Sequence, residues 1–378
     1  MSTLSVWEKE TFFAPQDIII IGSGYTGLWS AVKLLEKNPR LKITILERGI
    51  IPSGASTRNA GFSCFGSPSE LVHDATQMGE DNLWQLVEMR YKGLLEIRKN
   101  FSEAAIEYCA DGGYECFEPG STDWALCMDK LAWLNNGLKQ ISGNSNTYIT
   151  ADAKLKQFKL NGFNHLIENK EEGGLHSGKL LQALLHKVSA AGVQVLTGVH
   201  VRSFYTSSSK LVIETDNNIL FTAQQLLLCT NAFTRQLVPH ADVQPYRGQV
   251  FITAPVPQLA LKGAFHFQRG FYYFRNLGNR LLIGGARDTA IETENTDDMS
   301  ITSAIQNHLE QFVDTHILPR NTYSIESRWS GIMGMGSSKM PIIEELEPGI
   351  FCCVRMSGMG VALAPVAAAK IAALITGS

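Results

Sequence analysis

The stretch Asp17 to Ile21 carries four consecutive isoleucines, a short β-branched run that predicts a strand buried on both faces of a parallel sheet. A glycine turn follows. Helical spacing of apolar residues predicts a helix over Thr26–Lys37, and a second strand is expected at Lys42–Leu46, so the chain opens as a βαβ unit. Leu71–Leu138 keeps helical spacing with few β-branched runs and predicts helices throughout. Over Ser177–Ala190, Leu180, Leu181, Leu184, Leu185 and Val188 share one face of a further helix. Gly192 ends it before a strand at Val193–Leu196. Alternation at Val199–Phe204, Leu211–Thr215 and Ile219–Thr222 predicts a meander, followed by a separate short buried strand at Leu226–Cys229.

The pattern changes from about Val243 to Asp288. Gln249–Thr253, Phe271–Phe274 and Arg280–Gly284 read as strands of an antiparallel sheet, with a hairpin turn at Asn276-Leu277-Gly278-Asn279. A helix over Ser300–Val313 and a strand over Tyr323–Trp329 follow. A last strand, Phe351–Arg355, runs into a glycine turn and a final helix. The expected class is α/β, α+β overall: a Rossmann-like domain with a second domain of antiparallel sheet and helices. No internal repeat is found.

Composition narrows the class. The 378 residues suffice for two domains at roughly 150 residues each. Apolar residues make up 44% and charged residues 18%, which excludes disorder. The 33 Lys and Arg against 36 Asp and Glu give a net charge of −3, so no basic excess points to nucleic acid or an anionic membrane. No run approaches the ~18 apolar residues of a membrane helix, because Pro365 and Lys370 interrupt the alanine-rich Val361–Thr376. Glu8, Lys9 and Glu10 precede any apolar run, so the N-terminus does not read as a signal peptide. The seven cysteines are odd in number and include no C-x-x-C, which suits reduced thiols and a cytoplasmic protein. No His or Cys pairs stand at ligand spacing, so no metal site is expected.

Gly22-Ser23-Gly24-Tyr25-Thr26-Gly27 is a G-x-G-x-x-G between a strand and a helix. The first glycine permits the tight turn, the second lets backbone approach a pyrophosphate, and the third lets helix and strand pack closely. The helix N-terminus offers free N–H groups and partial positive charge to the diphosphate. Glu47 ends the second strand, where an acid binds a ribose hydroxyl pair. This pattern does not separate FAD from NAD.

The residues beyond Glu47 carry more. Gly54-Ala55-Ser56-Thr57-Arg58-Asn59-Ala60-Gly61-Phe62 resembles the S-G-A-S-x-R-N-x-G segment of the FAD-dependent amine and amino-acid oxidoreductases, the DAO-type family of D-amino-acid oxidase, glycine oxidase, sarcosine oxidase and γ-glutamylputrescine oxidase. Four more landmarks follow in family order. Gly174 to Leu180 resembles G-x-x-H-P-x-x-L, with Ser177 for the proline; Cys229 to Thr234 resembles A-x-N-A-[WY]-[ST]. Pro245 to Gln249 resembles P-x-R-G-Q, and Ser357 to Val361 resembles G-x-x-G-H-G, with Met359 for the histidine.

The resemblance implies a discontinuous FAD-binding domain at 16–85, 150–240 and 325–378, and a substrate domain at 86–149 and 241–324. It also implies that Arg48, Ser56, Thr57, Arg58, Asn59, Ala60, Gly61, Phe62, Val201, Thr230, Asn231, Gly358, Met359, Gly360 and Val361 join the glycine loop and Glu47 in holding FAD. Val201 would act through its backbone. The start of the final helix would stabilise negative charge on the flavin. Sarcosine oxidases bind flavin through a cysteine in the segment that here reads Ile332 to Gly336; none lies there, so non-covalent FAD is expected. The family's carboxylate-binding arginine, in a G-x-R-P segment, has no counterpart before Pro341, where Lys339 is the nearby cation. That departure favours a substrate like that of γ-glutamylputrescine oxidase over an α-amino acid.

Tyr272 and Tyr273 in Phe271–Phe274, together with Tyr246, are the candidates for orienting substrate; His266 and His176 are weaker ones. The implied reaction passes a hydride from the α-carbon of a small-molecule amine to flavin. Water then hydrolyses the imine, and dioxygen or an electron-acceptor protein takes the electrons. The alternatives are a flavin dehydrogenase serving a partner and a non-catalytic FAD-binding protein.

Overall fold

A computed structural model describes residues 4–208, 210–216 and 218–377. The chain divides by packing into two compact units. The first comprises the chain up to Thr57, Gly178–Pro245 and the chain from Met333 on; the second comprises Arg58–Ser177 and Tyr246–Ile332. Segments 58–85 and 150–177, allotted above to the FAD-binding domain, therefore pack with the second unit. Strand pairing is the reason: Phe62–Ser63 pairs Gly173–Gly174, and Tyr148–Thr150 and His165–Asn169 pair within the second unit's sheet.

In the first unit the four isoleucines of Gln16–Ile21 are buried at the centre of a parallel arrangement. Ile43–Glu47 lies on one side and Leu220–Leu228 on the other, in register Ile20 to Ile45 and Ile20 to Leu227. Gln194–Thr197 extends one edge and Ile350–Val354 the other. Helices Tyr25–Lys37 and Gly360–Thr376 pack against each other. The separate strands expected at 219–222 and 226–229 are one strand. Its first half pairs antiparallel with Lys210–Thr215, its second half parallel with Gln16–Ile21, and Gln224 and Gln225 between them imitate a turn in sequence. Pairing on both sides holds the backbone extended across those polar residues.

The second unit holds an eight-stranded sheet: Ile325–Met335, Gln244–Thr253, Arg280–Gly285, Tyr272–Leu277, Ala264–Phe267, Gly113–Phe117, His165–Asn169 and Tyr148–Thr150, in that order. From Gln244–Thr253 onward its neighbours pair antiparallel except at one parallel junction, between Ala264–Phe267 and Gly113–Phe117. The expectation of helices throughout Leu71–Leu138 fails at Gly113–Phe117, which is buried on both faces and so lacks the alternation that marks a half-buried strand. The predicted hairpin forms: Leu277 pairs Arg280 across Gly278, whose φ is +61°.

Alternation divides this sheet into two faces. Phe251, Phe265, Phe267, Tyr272, Phe274, Leu281 and Ile283 pack with Ile305, Leu309, Phe312 and Val313 of helix Ser303–His316. Val250, Ile252 and Leu282 point the other way and meet Ala60, Tyr273 and Trp329.

Candidate active site

In the first unit the glycine loop is built as the spacing predicts. Gly22 has a φ of +103°, and a Cβ there would lie 2.8 Å from the Cys229 carbonyl oxygen. A Cβ on Gly27 would come within 2.0 Å of the Gly22 oxygen, so helix and loop touch through that glycine. At Gly24 a Cβ would meet only the Ser56 Oγ, at 3.0 Å. Gly24 caps helix Tyr25–Lys37 without a side-chain bond, and Ser56 Oγ accepts from the Tyr25 N–H at 2.9 Å. The first-turn donors thus face a short hydroxyl and open space, with Thr26 buried below.

Glu47 is 9% exposed. Its Oε2 accepts from the Ser23 N–H at 3.0 Å and the Ser23 hydroxyl at 2.9 Å, and its Oε1 accepts from the Gly49 N–H at 2.9 Å. A carboxylate has about four acceptor sites, so one remains for a ribose hydroxyl. Arg48 stacks its guanidinium 3.9 Å above the Phe233 ring. Thr57 donates its hydroxyl to the Pro52 carbonyl at 2.8 Å and shapes the turn. The Val201 side chain is buried in the first unit's core.

The second cluster of the first unit surrounds the start of the final helix. Thr230 and Thr234 share a hydrogen bond of 2.9 Å, and Asn231, at φ +45°, accepts from the Met356 N–H at 3.4 Å. Ser357 and Gly358 are left-handed, at φ +48° and +81°, and Met359 caps the helix that begins with Gly360 and Val361. The Ser357 N–H donates to the Gly334 carbonyl at 3.1 Å, but its Oγ is buried with no partner. A strained loop, an orphaned hydroxyl and a helix N-terminus without a side-chain cap together suit a polar ligand edge rich in acceptors. Pro365 is the sixth residue of this helix and removes one hydrogen bond, to Val361, without breaking it.

The remaining expected cofactor residues belong to the second unit. Arg58 donates to the Ser330 carbonyl at 2.9 Å and its own carbonyl accepts from the Trp329 indole at 3.0 Å. Asn59 Oδ1 accepts from the Gly61 N–H at 2.8 Å and the Ser177 hydroxyl at 2.6 Å. Gly61 has a φ of +72°, and a Cβ there would lie 2.3 Å from the Leu175 oxygen. Buried Arg275 donates to the Gly61 carbonyl and, at 3.0 Å, to the Leu175 carbonyl. Ala60 and Phe62 complete the face that carries Tyr273; the Phe62 ring meets Tyr273 at 5.8 Å and His266 at 5.2 Å.

Phe271–Phe274 does not form one wall. Tyr272 stacks on Phe312 at 4.7 Å within the core, on the face away from Tyr273. Tyr272 is therefore a packing residue, because successive strand residues point to opposite faces. Tyr273 lies over Gly284, where a Cβ would meet its ring at 2.6 Å; burial pushes its phenol up to about 12. Burial likewise pushes His266 down to about 4, so its ring is neutral.

Tyr246 stands in strand Gln244–Thr253 at an even position with Val250 and Ile252, and so shares the face of Tyr273. The guanidinium of Arg287 lies 5.9 Å from the Tyr246 ring centre and 5.3 Å from that of Phe271. No carboxylate among the described residues forms an ion pair with it; burial lowers its affinity for its proton, and the Asp288 carboxylate, beyond ion-pair distance, opposes that in part. By contrast Arg247 of the P-Y-R-G-Q segment faces the other way, bound to buried Glu294 at 2.8 Å. Arg328 likewise binds Glu310 at 2.7 Å. Arg287 carries little signal in the sequence, a basic residue two positions past the strand Arg280–Gly285.

The chain matches the FAD dependent oxidoreductase family, DAO, over residues 17–374. It is 26% identical to the glycine oxidase of Geobacillus kaustophilus, with 95% of this chain and 92% of that protein covered. It is 23% identical to the gamma-glutamylputrescine oxidoreductase of Escherichia coli, with 96% and 84% covered. The solved glycine oxidase of Bacillus cereus superposes with a TM-score of 0.76 at 18% identity, covering 96% of this chain and 95% of that one, which shows the shared fold. The cradle described above fits the dinucleotide that such a family requires. The chain belongs to the DAO family of FAD-dependent amine and amino-acid oxidoreductases.

Proposed function

We infer that the protein oxidises the C–N bond of a small amine that also carries a carboxylate, a γ-glutamylated amine being favoured over an α-amino acid. The observation that carries this reading is Arg287, a half-buried guanidinium that forms no ion pair among the described residues and lies beside Tyr246 and Phe271. Asp288 acts on this half-buried cation only from beyond ion-pair distance, and a substrate carboxylate would bind it directly and offset its desolvation. The segment that supplies this cation in glycine and D-amino-acid oxidases has no arginine before Pro341 here, Lys339 being its nearby cation, and Arg328 is engaged elsewhere.

Gly22 to Gly27, Glu47, Ser56, Thr230, Asn231 and the loop from Ser357 to Val361 would hold FAD, without a covalent bond. FAD supplies the hydride acceptor when bound. Arg287 holds the carboxylate, and the Tyr246 and Tyr273 phenols donate hydrogen bonds that orient the neutral amine. The amine loses a hydride and a proton to become an imine; water converts the imine to a carbonyl and releases ammonia or a smaller amine. Six of the seven cysteines are buried and all seven are free thiols, which suits a cytoplasmic setting.

An anaerobic screen of the purified flavoprotein tests the reading. γ-Glutamylated amines should bleach the flavin faster than putrescine, glycine, sarcosine, proline or D-amino acids. Bleaching by carboxylate-free amines alone would refute it. Peroxide release in air distinguishes an oxidase from a dehydrogenase that serves a protein acceptor.

A further inference from the structure

Three buried side chains of the second unit converge although they are far apart in sequence. Cys64 follows strand Phe62–Ser63, Glu172 precedes Gly173–Gly174, and His266 stands on Ala264–Phe267. The Cys64 sulfur, a Glu172 carboxylate oxygen and a His266 ring nitrogen lie within 4.8 Å of one another. His266 is 9% exposed, and its Nε2 is buried with no hydrogen-bond partner. Glu172 Oε1 accepts from the Phe65 N–H at 2.7 Å and the Gly66 N–H at 3.2 Å, which fixes the carboxylate's direction. The Cys64 thiol makes a weak contact, 3.8 Å, with the Gly173 carbonyl and also hydrogen-bonds the Glu172 carboxyl. A buried acceptor left unpaired costs about 1–3 kcal/mol, so an unsatisfied ring nitrogen beside a thiol and an acid calls for an occupant.

We propose that Cys64, Glu172 and His266 bind a zinc-like divalent cation. One thiolate, one imidazole and one carboxylate are zinc ligands, whereas magnesium and calcium take oxygen alone. Three protein ligands leave the fourth tetrahedral corner to water. Binding forms the metal–sulfur bond as the Cys64 S–H bond breaks, and that proton goes to solvent. In the metal-free chain burial and the Glu172 carboxyl hold the Cys64 thiol well above its ordinary range, against a smaller opposing pull from Arg275, and burial pushes the Glu172 carboxyl up to about 8, so the cation displaces a proton from each of these two ligands to solvent. The Phe65 and Gly66 N–H groups act as outer partners that hold the Glu172 ligand in place. The metal would tie strand Ala264–Phe267 to the short pair that carries Phe62. Local sequence spacing could not reveal such a site, since each ligand comes from a different segment.

The FAD-loaded full chain is incubated with zinc chloride, passed through gel filtration and analysed for metal by mass spectrometry, with zinc-edge X-ray absorption on the same sample. About one zinc per flavin is expected, with one sulfur neighbour at about 2.3 Å and lighter neighbours at about 2.0–2.1 Å. Cys64→Ser and His266→Gln, each checked for normal flavin content, should retain less than a tenth of that zinc. A wild-type protein that keeps no zinc, a zinc shell without sulfur, or undiminished zinc in flavin-loaded Cys64→Ser would overturn the proposal. The absorption measurement uses wild-type protein and stands even if a variant does not fold. Neither readout depends on the substrate.

Discussion

Single residues set what the site can recognise. Arg287 is charged, half-buried and outside any ion pair among the described residues, so under the proposed function its replacement should weaken binding of carboxylate-bearing substrates specifically. Arg287→Met is expected to raise KM for a γ-glutamylated amine about 10- to 100-fold, from a loss of about 1.5–3 kcal/mol in charged hydrogen bonds, with little change for carboxylate-free amines. Steady-state kinetics on matched substrate pairs checks this. Gly27→Ala places a methyl 2.0 Å from the Gly22 carbonyl, so the loop must open. The variant should purify with well under half the normal flavin content and about 1–3 kcal/mol less stability, read from absorbance and denaturant titration. Glycine spacing made Gly27 legible. Arg287 was not legible, because a lone arginine after a strand looks like any surface cation until its neighbours are known.

At the scale of elements, each strand face has one task. Tyr272 and Tyr273 are adjacent yet serve opposite faces, one stacked on Phe312 and one over Gly284. Alternation was visible in the sequence, but which parity faces helix Ser303–His316 was not. Strand Gly113–Phe117 hides a charge among apolar residues: Glu115 accepts from the Ser69 N–H at 2.9 Å, and burial pushes its carboxyl up to about 7 from 4.5. Between those values the folded chain holds a proton that the unfolded chain releases. Stability from this group is therefore greatest below about pH 4.5 and is lost as pH rises towards 7, by up to about 1.4 kcal/mol per pH unit. Neutral His266 acts in the opposite sense at lower pH, between about 4 and 6.5. Comparing Glu115→Gln with wild type isolates the carboxyl: wild-type Tm should fall relative to the variant from pH 5 to 7.5. Parallel Tm curves would contradict the assigned burial effect.

For the whole molecule, the nucleotide is expected to stabilise what the chain alone holds less firmly. A ligand at 100 times its Kd adds about 2.7 kcal/mol. Removing FAD should lower Tm by several degrees, and adding it back should restore the value, as scanning fluorimetry would show. Acid precipitation should leave all the yellow colour in solution, because no cysteine lies between Ile332 and Gly336. Colour retained in the pellet would show a covalent link. The division into packing units differs from the allotment by cofactor: Arg58 to Phe62 belongs by motif with the FAD-binding residues and by packing with the second sheet.

The sequence by itself determined the opening nucleotide fold, the glycine cradle with Glu47 and the family, because each rests on local spacing: a turn, a helix start and a strand end within a few tens of residues. It also determined the hairpin and the buried character of the sheet strands. Tertiary structure alone decided which sheet face each tyrosine takes, that Arg247 and Arg328 are ion-paired while Arg287 forms no ion pair among the described residues, and that Cys64, Glu172 and His266 meet. Those facts depend on strands brought together from distant segments, and local periodicity carries no information about which distant residue will stand opposite.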